Sequence, residues 1–417
     1  MKFHSQFFQY KNRHIKGLKY FVIVACAVVS LFDQPGSLHQ SVSFVSNVQA
    51  ATKTVLVNDV VKGYADLVFI SYQDAAEGAQ QVHAAVETFL AQPSQSTLNQ
   101  AKSAWLKARE VYGQTEVYRF YGGPIDTHNG LEGQINAWPI DESYVDYVQG
   151  APRAGLIQRT DFEISKTNLI AINERGGEEN VATGWHAIEF LLWGQDLNKT
   201  GPGTRPYTDY VLGTENLIVV QRRRLYLSIV SQLLVDDLES LVAAWVPGSS
   251  ANYRSQFEAG GLESLRHIVV GMSSLSRGEL AGERMEVALS SQDQEDEQSC
   301  FSDHTHRDIV ANAQAILNIW QGQYTRSNGE VIRVASLANL VASKNQAVAD
   351  RTGQQIVRSV ELAHQIQAPF DQELGGGQDG QGKVRIQATI NSLIQQSEFI
   401  VSAASALGIS KLTVLQP

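Results

Sequence analysis

Residues 98–115 read LNQAKSAWLKAREVYGQT, and the spacing of their apolar and small side chains decides the fold. Those side chains recur at alternating intervals of three and four residues, at Leu98, Ala101, Trp105, Ala108, Tyr112 and Thr115. Such spacing places one stripe along a single face of an α-helix, as in the seam of a helical bundle. We expect Ser96 or Thr97 to cap this helix and the turn at residues 122–124 to end it.

The segment before this stretch has the same periodicity, from Tyr64 to Phe89, and it stops at Gln92-Pro93-Ser94. Two long helices joined by a short polar turn form an αα-hairpin. Further helical patterns cover residues 184–193, 217–245, 281–290, 308–324, 336–351, 352–367 and 383–406. Since the sequence contains no convincing set of alternating strands, it predicts an all-α fold.

Two features favour a division of the helices into two bundles. The helical pattern that ends near Trp245 is interrupted directly afterwards, so we place one bundle at 51–246 and the other at 251–417. A Pro-apolar-Asp triplet follows a helical hairpin in each half, at residues 124–126 and 369–371. The triplets favour a duplicated architecture of two tandem helical bundles, and the alternative that they match by chance stays open.

The charge of the chain argues against one class of partner. The 417 residues carry a formal net charge of −10, and residues 1–50 contribute +4, which leaves −14 on residues 51–417. Nucleic-acid binding needs a basic surface that contacts phosphates, so we expect no nucleic-acid partner. An acidic surface is compatible with cation binding, although most acidic surfaces are only solubilising.

Residues 1–50 have the features of a signal peptide or a membrane anchor. Basic residues precede an apolar run of 13 residues at 20–32, and Val48-Gln49-Ala50 offers a small-residue cleavage site. The run is shorter than the roughly 20 residues of a membrane span. Cleavage at that site, lipidation at Cys26 and a retained anchor all remain open. Each of them places residues 51–417 in the periplasm or on the periplasmic face of the cytoplasmic membrane.

His186 and Glu189 form the sharpest candidate for a functional site. They lie three residues apart in the apolar run GWHAIEFLLW, so both can point to the same side of a helix. Imidazole and carboxylate suit Zn or Fe, but two ligands do not complete a site. The alternative is a buried pair held by hydrogen bonds within a core helix, because a buried carboxylate needs a partner, a proton or a metal.

Two other polar groups are further candidates. Glu116 and Arg119 lie three residues apart near the end of the hairpin, and they either pair with each other or form a wall of the site. Residues 291–308 combine many acids with two imidazoles, and they form either an exposed acidic loop or a segment that delivers ligands. His304 and His306 would share a side only in extended backbone, so we expect one of them to face any given site.

The chain lacks the complete motifs of metal-dependent hydrolases. His-Glu-x-x-His is absent, and the inverted motif His-x-x-Glu-His fails because Phe190 follows Glu189. Di-iron bundles use Glu-x-x-His from two helices, whereas the order here is reversed and occurs once. Cys300 could be a nucleophile, but the carboxylates near it in sequence are expected to raise its pKa and keep it unreactive.

Taken together, four motifs resemble the imelysin family, which is also classified among the metallopeptidases. They are Gly184-x-His186-x-x-Glu189, residues 108–116 running on to 123–126, Gly282-Glu283-Arg284-Met285, and residues 299–308. The His-x-x-Glu element alone is weak, but the joint occurrence in this order is specific and covers most of residues 54–410. Within the family, the chain looks like the iron-regulated branch from cyanobacteria.

The resemblance implies an all-helical fold of two tandem bundles with a functional site at their interface. It also implies a cell-envelope location and a role in iron uptake under iron limitation. By the same resemblance, His186 and Glu189 are the metal ligands. The contributors from the second half are then Glu283, Arg284, Asp303, His306 and Arg307. His304 departs from the family pattern, in which we expect Asn at that position.

We therefore predict a cell-envelope component of iron acquisition that binds iron or an iron chelate. His186 and Glu189 would hold the ion, with zinc as the alternative metal, and acids from the second half would complete an oxygen shell. Glu116 and Arg119 join the ligand-binding set, and the arginines fit an anionic chelate better than a bare cation. An inner-membrane transporter is a candidate partner, and an uncleaved N-terminal segment would contact the membrane.

Two alternatives belong to other functional classes. A metal-dependent endopeptidase of the envelope needs a metal with an open position and a base for the attacking water, and the His-x-x-Glu element leaves no obvious local base. A helical partner-docking protein needs neither a metal nor a base. We favour binding over catalysis, because binding requires only affinity for the ligand.

Overall fold

The computed structural model describes residues 55–198, 200–213, 216–410 and 412–414. The predicted signal or anchor at 1–50, including Cys26, lies outside these residues. From residue 53 onward the chain forms one compact unit. Within the described part, no helix combines the length and the apolar character that crossing a membrane requires.

The regular secondary structure of the described residues is almost all helical, as predicted. The first half contains α1 (Val57–Ala91), α2 (Gln95–Gly113), α3 (Glu132–Ile135), α4 (Glu142–Val145), α5 (Lys166–Ile172), α6 (Gly184–Trp193) and α7 (Leu217–Trp245). The second half contains α8 (Tyr253–Ala259), α9 (Leu262–Ser274), a π-helix (Leu275–Glu286), α10 (Val287–Ser291), α11 (Thr305–Gln321), α12 (Leu337–Ala342), α13 (Gln346–Ala363), α14 (Phe370–Leu374) and α15 (Gly382–Ala406). Short 3₁₀-helices occur at Glu116–Tyr118, Tyr207–Tyr210 and Gln294–Asp296.

The predicted αα-hairpin forms the frame of the first half. α1 and α2 pack against each other, and α7 packs against α1. All six seam residues that the periodicity singled out in and just after α2 are buried. α6 packs against both α2 and α7. The helical seam therefore brings the predicted ligand pair on α6 against the hairpin. Each Å² of apolar surface buried in this packing stabilises the folded state by roughly 25 cal/mol.

The N-cap of α2 differs from the prediction. The cap is Ser94 and not Ser96 or Thr97. Ser94 Oγ accepts a hydrogen bond from the backbone N–H of Thr97 at 3.2 Å, and Thr97 Oγ1 accepts one from the backbone N–H of Ser94 at 3.1 Å. Each side chain thus satisfies a backbone donor of the other residue, which is the geometry of a capping box.

The end of α2 was also predicted too late. The helix stops at Gly113 and not at residues 122–124. Both the backbone N–H and the Oγ1 of Thr115 donate to the carbonyl oxygen of Tyr112, so the chain tightens into the 3₁₀-helix Glu116–Tyr118. The tightened turn places Glu116 and Arg119 next to the second half, as described below.

α9, the π-helix and α10 follow one another without an interruption. The sequence pattern predicted a helix only at 281–290. A π-helix pairs residue i with i+5, so its apolar spacing does not match the period of 3.6 by which we located helices. The π-helix packs against α15, and α13 packs against α11 and α15, which forms the core of the second half.

Other boundaries in the second half needed correction. The predicted helices 336–351 and 352–367 are instead α12 and α13, because the side chain of Asn345 accepts a hydrogen bond from the backbone N–H of Val348 and starts a new helix. The predicted helix 308–324 ends earlier, and its last residues enter an antiparallel hairpin of β1 (Gln323–Thr325) and β2 (Val331–Arg333). The hairpin is short, so no strand pattern revealed it.

The two halves share an interface along the first hairpin. α1 packs against α8 and α9 as well as against α2 and α7, and α2 packs against α11. The turn after Trp245 joins α7 to α8, both of which contact α1. The boundary between bundles at residues 246–251 stays a prediction. What the packing does establish is that elements from both halves meet around α2.

Replacing Ser94 by Ala should destabilise the protein by about 1 kcal/mol, because the oxygen that satisfies the first turn of α2 is lost. Ser96→Ala is the matched control, since Ser96 is exposed and its hydroxyl has no partner among the described residues. The measurement is the free energy of unfolding of both variants in denaturant. An equal loss in the two variants would contradict the assignment of the cap.

Candidate functional site

α6 carries the predicted ligand pair, and the first residue of the helix explains the glycine of the motif. Gly184 has a φ of 83°, a conformation that glycine adopts without strain. A Cβ at this position would collide with the carbonyl oxygen of Ile135. All ten residues of α6 are buried. The glycine therefore lets the start of α6 pass close to α3 and fixes the position of His186 two residues later.

The side chains of His186 and Glu189 contact each other. His186 Nδ1 and Glu189 Oε2 are 2.8 Å apart. The other oxygen of Glu189 accepts two hydrogen bonds from Ser302, one from its backbone N–H at 2.9 Å and one from its Oγ at 2.6 Å. Nε2 of His186 is buried and has no hydrogen-bond partner in the described part of the chain. Nε2 of His186 is thus the atom of this pair that is free to donate a hydrogen bond or to bind a metal.

Burial sets the protonation of this pair. It raises the pKa of the Glu189 carboxyl to about 8. Burial also lowers the pKa of His186 well below its usual value, and Arg109 and Arg284 lower it further. Near neutral pH both groups are therefore uncharged, with the hydroxyl of Glu189 donating to Nδ1 of His186.

A second buried network is centred on Glu116. Its Oε2 accepts hydrogen bonds from Arg119 Nη1 at 2.6 Å and from Arg284 Nη2 at 2.7 Å, and its Oε1 accepts one from Asn136 Nδ2 at 3.3 Å. Burial alone would raise the pKa of Glu116, but the neighbouring arginines outweigh burial and lower the pKa to about 2. The Glu116–Arg119 pair that the spacing predicted is present, and Arg284 joins it from the second half.

Arg109 connects this network to α11. Its Nε donates to Asp308 Oδ1 at 2.9 Å, and its Nη1 donates to the side-chain oxygen of Asn136. The second oxygen of Asp308 accepts a hydrogen bond from Ser299 Oγ. Arg109, Asn136 and Asp308 were not among the predicted site residues, although Arg109 and Asp308 lie in the motifs on which the family resemblance rests.

The π-helix gives Arg284 a second carboxylate partner. Glu279 lies five residues before it, and Glu279 Oε1 accepts hydrogen bonds from Arg284 Nη2 at 2.8 Å and Nε at 3.2 Å. Residues five apart do not face each other in an α-helix, whereas the wider π-helical turn brings them together. Glu279 was missed for this reason. π-Helical turns occur frequently at functional sites.

The remaining predicted residues of the second half lie on a neighbouring segment. Arg307 holds Glu110 of α2 with two hydrogen bonds of 2.9 and 2.8 Å. The backbone carbonyl of Asp303 lies 3.2 Å from His306 Nδ1, and burial raises the pKa of the Asp303 carboxyl to about 7. In the residues that the structure describes, none of these three side chains is bonded to the α6 pair. Ser302, which precedes Asp303, is the residue of this segment that is hydrogen-bonded to Glu189.

Several buried polar atoms in and near these networks have no hydrogen-bond partner among the described residues. They include Tyr72 Oη, Tyr112 Oη, Arg119 Nε, Trp185 Nε1 and His186 Nε2. The rings of Tyr112 and Trp185 are 5.5 Å apart, and the guanidinium carbon of Arg109 lies 5.4 Å from the ring of Tyr112. A buried polar atom without a partner costs about 1–3 kcal/mol. These atoms are therefore available to a bound polar molecule.

The Glu116 network reaches the surface at a cleft of about 280 Å³, which we call the acidic cleft. Arg119 and Asn136 belong to both the network and the lining of the cleft. The carboxylates that line it are Glu132, Glu174, Glu178, Glu279, Glu283 and Asp296. The predicted residue Glu283 thus lies in the cleft, exposed to solvent and without an ion-pair partner among the described residues.

A bare metal ion does not fit the α6 pair as it is arranged. Within the described residues, no group of three or more His, Cys, Asp or Glu side chains is placed to hold a metal. Both oxygens of Glu189 are engaged, and the arginines near His186 disfavour a cation there. The acidic cleft offers oxygen donors but no complete shell. A metal in the cleft would therefore retain other ligands.

Cys300 takes no part in either network. It is a free thiol and is buried. Burial raises the pKa of this thiol well above its usual value, and the surrounding carboxylates, with Glu189 first among them, raise it further. A thiol in this state is a poor nucleophile. The predicted low reactivity of Cys300 is consistent with this environment.

Replacing Gly184 by Ala should destabilise the protein by several kcal/mol or prevent folding, because the added methyl group collides with Ile135 in addition to straining the backbone. Gly150→Ala is the matched control. Gly150 has a φ of 85°, but no atom lies near its absent Cβ, so only the strain of roughly 1–2 kcal/mol is expected. The measurement is the unfolding midpoint of both variants. Equal losses would contradict a steric role for the motif glycine.

Comparison with known proteins agrees with this architecture. Iron-regulated protein A of Synechococcus elongatus is 26% identical over 346 residues, which cover 80% of this chain and 82% of that protein. A crystal structure described as an iron-regulated protein A precursor from Parabacteroides distasonis has a TM-score of 0.62 at 17% identity, and the match covers 84% of this chain and 94% of that one. At this identity the structural likeness shows the fold alone. The imelysin family model matches residues 69–399, so this chain belongs to the imelysin family.

Proposed function

We propose that this protein serves iron acquisition at the cell envelope by binding iron in the acidic cleft, where the iron keeps part of its water or chelator ligands. The observation that carries the proposal is the cleft itself, in which six carboxylates and one arginine line about 280 Å³. The similarity to a protein named iron-regulated protein A supports iron as the ion.

The oxygen atoms of the cleft suit a hard cation such as ferric iron. Glu178 and Glu283 are exposed, and neither side chain has a hydrogen-bond or ion-pair partner among the described residues. Glu279 is shared with Arg284 and is therefore held in place. The cleft thus combines fixed and free carboxylates, which is suitable for binding iron that exchanges some of its ligands.

The electrostatics of the cleft favour a cationic or neutral iron complex over an anionic one. Burial raises the pKa of the Glu132 carboxyl, and repulsion from Glu116 and Glu279 contributes in the same direction. A bound cation would relieve this repulsion. Arg119 contacts Glu116 and Glu132, and Arg284 contacts Glu116 and Glu279, so three carboxylates compensate the charge of the two arginines. The cleft therefore gives less support to the anionic chelate that we considered from the sequence.

His186 and Glu189 stay the metal ligands that the sequence predicts, and a supporting role for Glu189 behind His186 is the alternative. Ligation through Nε2 of His186 would require Nδ1 to carry the proton and donate it to an ionised Glu189, which is the usual arrangement of a carboxylate behind a metal-bound imidazole. In that arrangement Glu189 would orient the imidazole and would not bind the metal itself. The position of Ser302 against the other oxygen of Glu189 fits this supporting role.

The proposal extends to the location and the partner of the protein. We place residues 51–417 in the periplasm or on the periplasmic face of the cytoplasmic membrane, with an inner-membrane transporter as the receiver of the iron. An incomplete ligand shell supports such a transfer, because iron that retains exchangeable ligands can leave the cleft faster than iron in a closed protein cage.

Peptide hydrolysis receives less support from the geometry. A metallopeptidase needs a base within hydrogen-bond reach of the attacking water. For a metal held at the α6 pair, the local candidate is the Glu189 carboxyl, and its two oxygens are occupied by His186 and Ser302. We therefore expect no casein cleavage. Cleavage that is lost with a chelator and in Glu189→Gln would instead establish the endopeptidase alternative.

The first test is iron binding by the full chain and by the double variant Glu178→Gln/Glu283→Gln. Calorimetry with ferrous ion should show binding by the wild type and an affinity at least about tenfold lower in the variant, because two carboxylates of the cleft are neutralised. The matched control is Glu77→Gln/Glu398→Gln, which changes the net charge equally at exposed positions outside the cleft.

Two outcomes would contradict the proposal. The first is an absence of iron binding in the wild type, which would favour a partner-docking role. The second is an equal loss of affinity in the cleft variant and the control, which would show only an effect of net charge. Loss of binding in a folded His186→Ala/Glu189→Ala variant, with the cleft variant unaffected, would move the site to the α6 pair.

A further inference from the structure

A separate pocket of about 220 Å³ lies at the other end of α6, and we call it the Arg205 pocket. Its lining residues are Tyr147, Val148, Gln149, Gly194, Gln195, Leu197, Thr204, Arg205 and Pro206. None of these nine residues carries a carboxylate, whereas the acidic cleft has six. In a chain with a net charge of −10, a pocket lined by one arginine and otherwise neutral groups is suited to an anion.

The guanidinium group of Arg205 is only half satisfied. Its Nη1 donates to Asp146 Oδ2 at 2.8 Å and to Asp209 Oδ2 at 3.3 Å. Nε is buried and has no hydrogen-bond partner, and no hydrogen bond of Nη2 is formed with any described residue. The residue is only 5% exposed, and at Nε no bulk water takes the place of a protein partner.

The free edge of Arg205 is the edge by which other arginines of this protein bind carboxylates. Arg307 uses Nε and Nη2 to hold Glu110 at 2.9 and 2.8 Å, and Arg385 uses the same two atoms to hold Glu373 at 2.8 and 2.6 Å. Parallel N–H groups of this kind match the two oxygens of a carboxylate. Arg205 therefore presents an unused carboxylate-binding edge.

Two aromatic rings and one glycine surround the guanidinium group of Arg205. The guanidinium carbon of Arg205 lies 5.0 Å from the ring of Tyr147 and 5.1 Å from the ring of Phe190. Gly194 lies beside it with a φ of 73°, and a Cβ on Gly194 would come within 3.5 Å of Arg205 Nε and 3.1 Å of its Cβ. The glycine thus adds no side-chain atom beside Nε.

Charges of both signs surround the pocket, since Glu142 is hydrogen-bonded to the lining residue Gln195 and Asp196 lies between the lining residues Gln195 and Leu197. Arg205 and Arg223 share Asp146, and Asp209 supplies the second negative charge, so these four groups balance. Lys102 adds a further cation, which lies 5.1 Å from the ring of Trp193 and forms no ion pair among the described residues. The proximity of Lys102 to Arg205 makes an added anion favourable at this end of α6.

We propose that the Arg205 pocket binds a small carboxylate anion, whose two oxygens accept hydrogen bonds from Nε and Nη2 of Arg205. The pocket is smaller than the roughly 300–1,000 Å³ of sites that hold drug-sized ligands, so the ligand is a short mono- or dicarboxylic acid. Thr204 and Gln149 offer polar groups for its other end. This proposal is independent of iron binding, since it uses no residue of the acidic cleft.

The test is binding of succinate and of inorganic phosphate to the full chain, followed by calorimetry and by the midpoint of thermal unfolding. Succinate should bind and raise the midpoint. Leu197→Glu places a negative charge at the lining of the pocket on a side chain that is 60% exposed, and it should weaken succinate binding at least about tenfold. The matched control is Leu212→Glu, which adds the same charge at a side chain that is 51% exposed and lies outside the pocket. The control should bind as the wild type does.

Arg205→Lys provides the second variant, because lysine keeps the charge but lacks the parallel pair of N–H groups. A folded Arg205→Lys protein should lose succinate binding, with folding checked by circular dichroism. The proposal is overturned if succinate fails to bind the wild type up to about 10 mM, if Leu197→Glu and Leu212→Glu bind it equally, or if phosphate binds and succinate does not. None of these outcomes bears on iron binding in the acidic cleft.

Discussion

The buried ion pair between Arg284 and Glu116 is the constraint on which the rest of the site depends. Both side chains are only 1% exposed, and they come from different halves of the chain. Removing Glu116 would leave Arg284 with Glu279 as its partner, and removing Arg284 would leave Glu116 with Arg119, so either loss costs less than the about 3–5 kcal/mol of a fully unpaired buried charge. The pair specifies where the π-helix lies against the hairpin of α1 and α2. Arg109–Asp308 repeats this connection from α2 to α11.

The π-helix turns this constraint into a binding surface. An α-helix would place residues three and four apart on one face, and it could not bring Glu279 against Arg284 five residues later. The wider turn lets Glu279 hold Arg284 while Glu283, four residues after Glu279, also lines the cleft. One segment thus supplies both a buried cation that fixes the interface and carboxylates that face solvent. Along the π-helix, Glu279 and Glu283 therefore line the acidic cleft while Arg284 is buried against the first half.

Sequence periodicity identified the elements whose contacts are local and missed those whose contacts are distant. The helices 184–193 and 217–245 were predicted with the residues at which they begin and end, since a fully or largely apolar run gives a clear boundary. The pairs His186–Glu189 and Glu116–Arg119 were visible because each lies within one helical turn. Arg109 and Asp308 contact each other across 199 residues, and a single sequence contains no spacing that reveals such a pair. The π-helix was missed because its period is not the one that we searched for.

α6 separates two sites of opposite charge. It has ten residues and is about 15 Å long, with His186 in its first turn, Glu189 near its middle and Gly194 directly after its end. At the first end, compensated arginines lie behind a cleft rich in carboxylates, which favours a cation. At the second end, Nε of Arg205 has no hydrogen-bond partner among the described residues, which favours an anion as proposed above. A glycine with positive φ lies at each end, and in both places the absent Cβ is what allows the close approach. Changes inside α6 would disturb both sites together, because every residue of the helix is buried. Independent evidence on the two sites therefore has to come from exposed side chains such as Glu283 and Leu197, which line one site each and support neither the core nor α6.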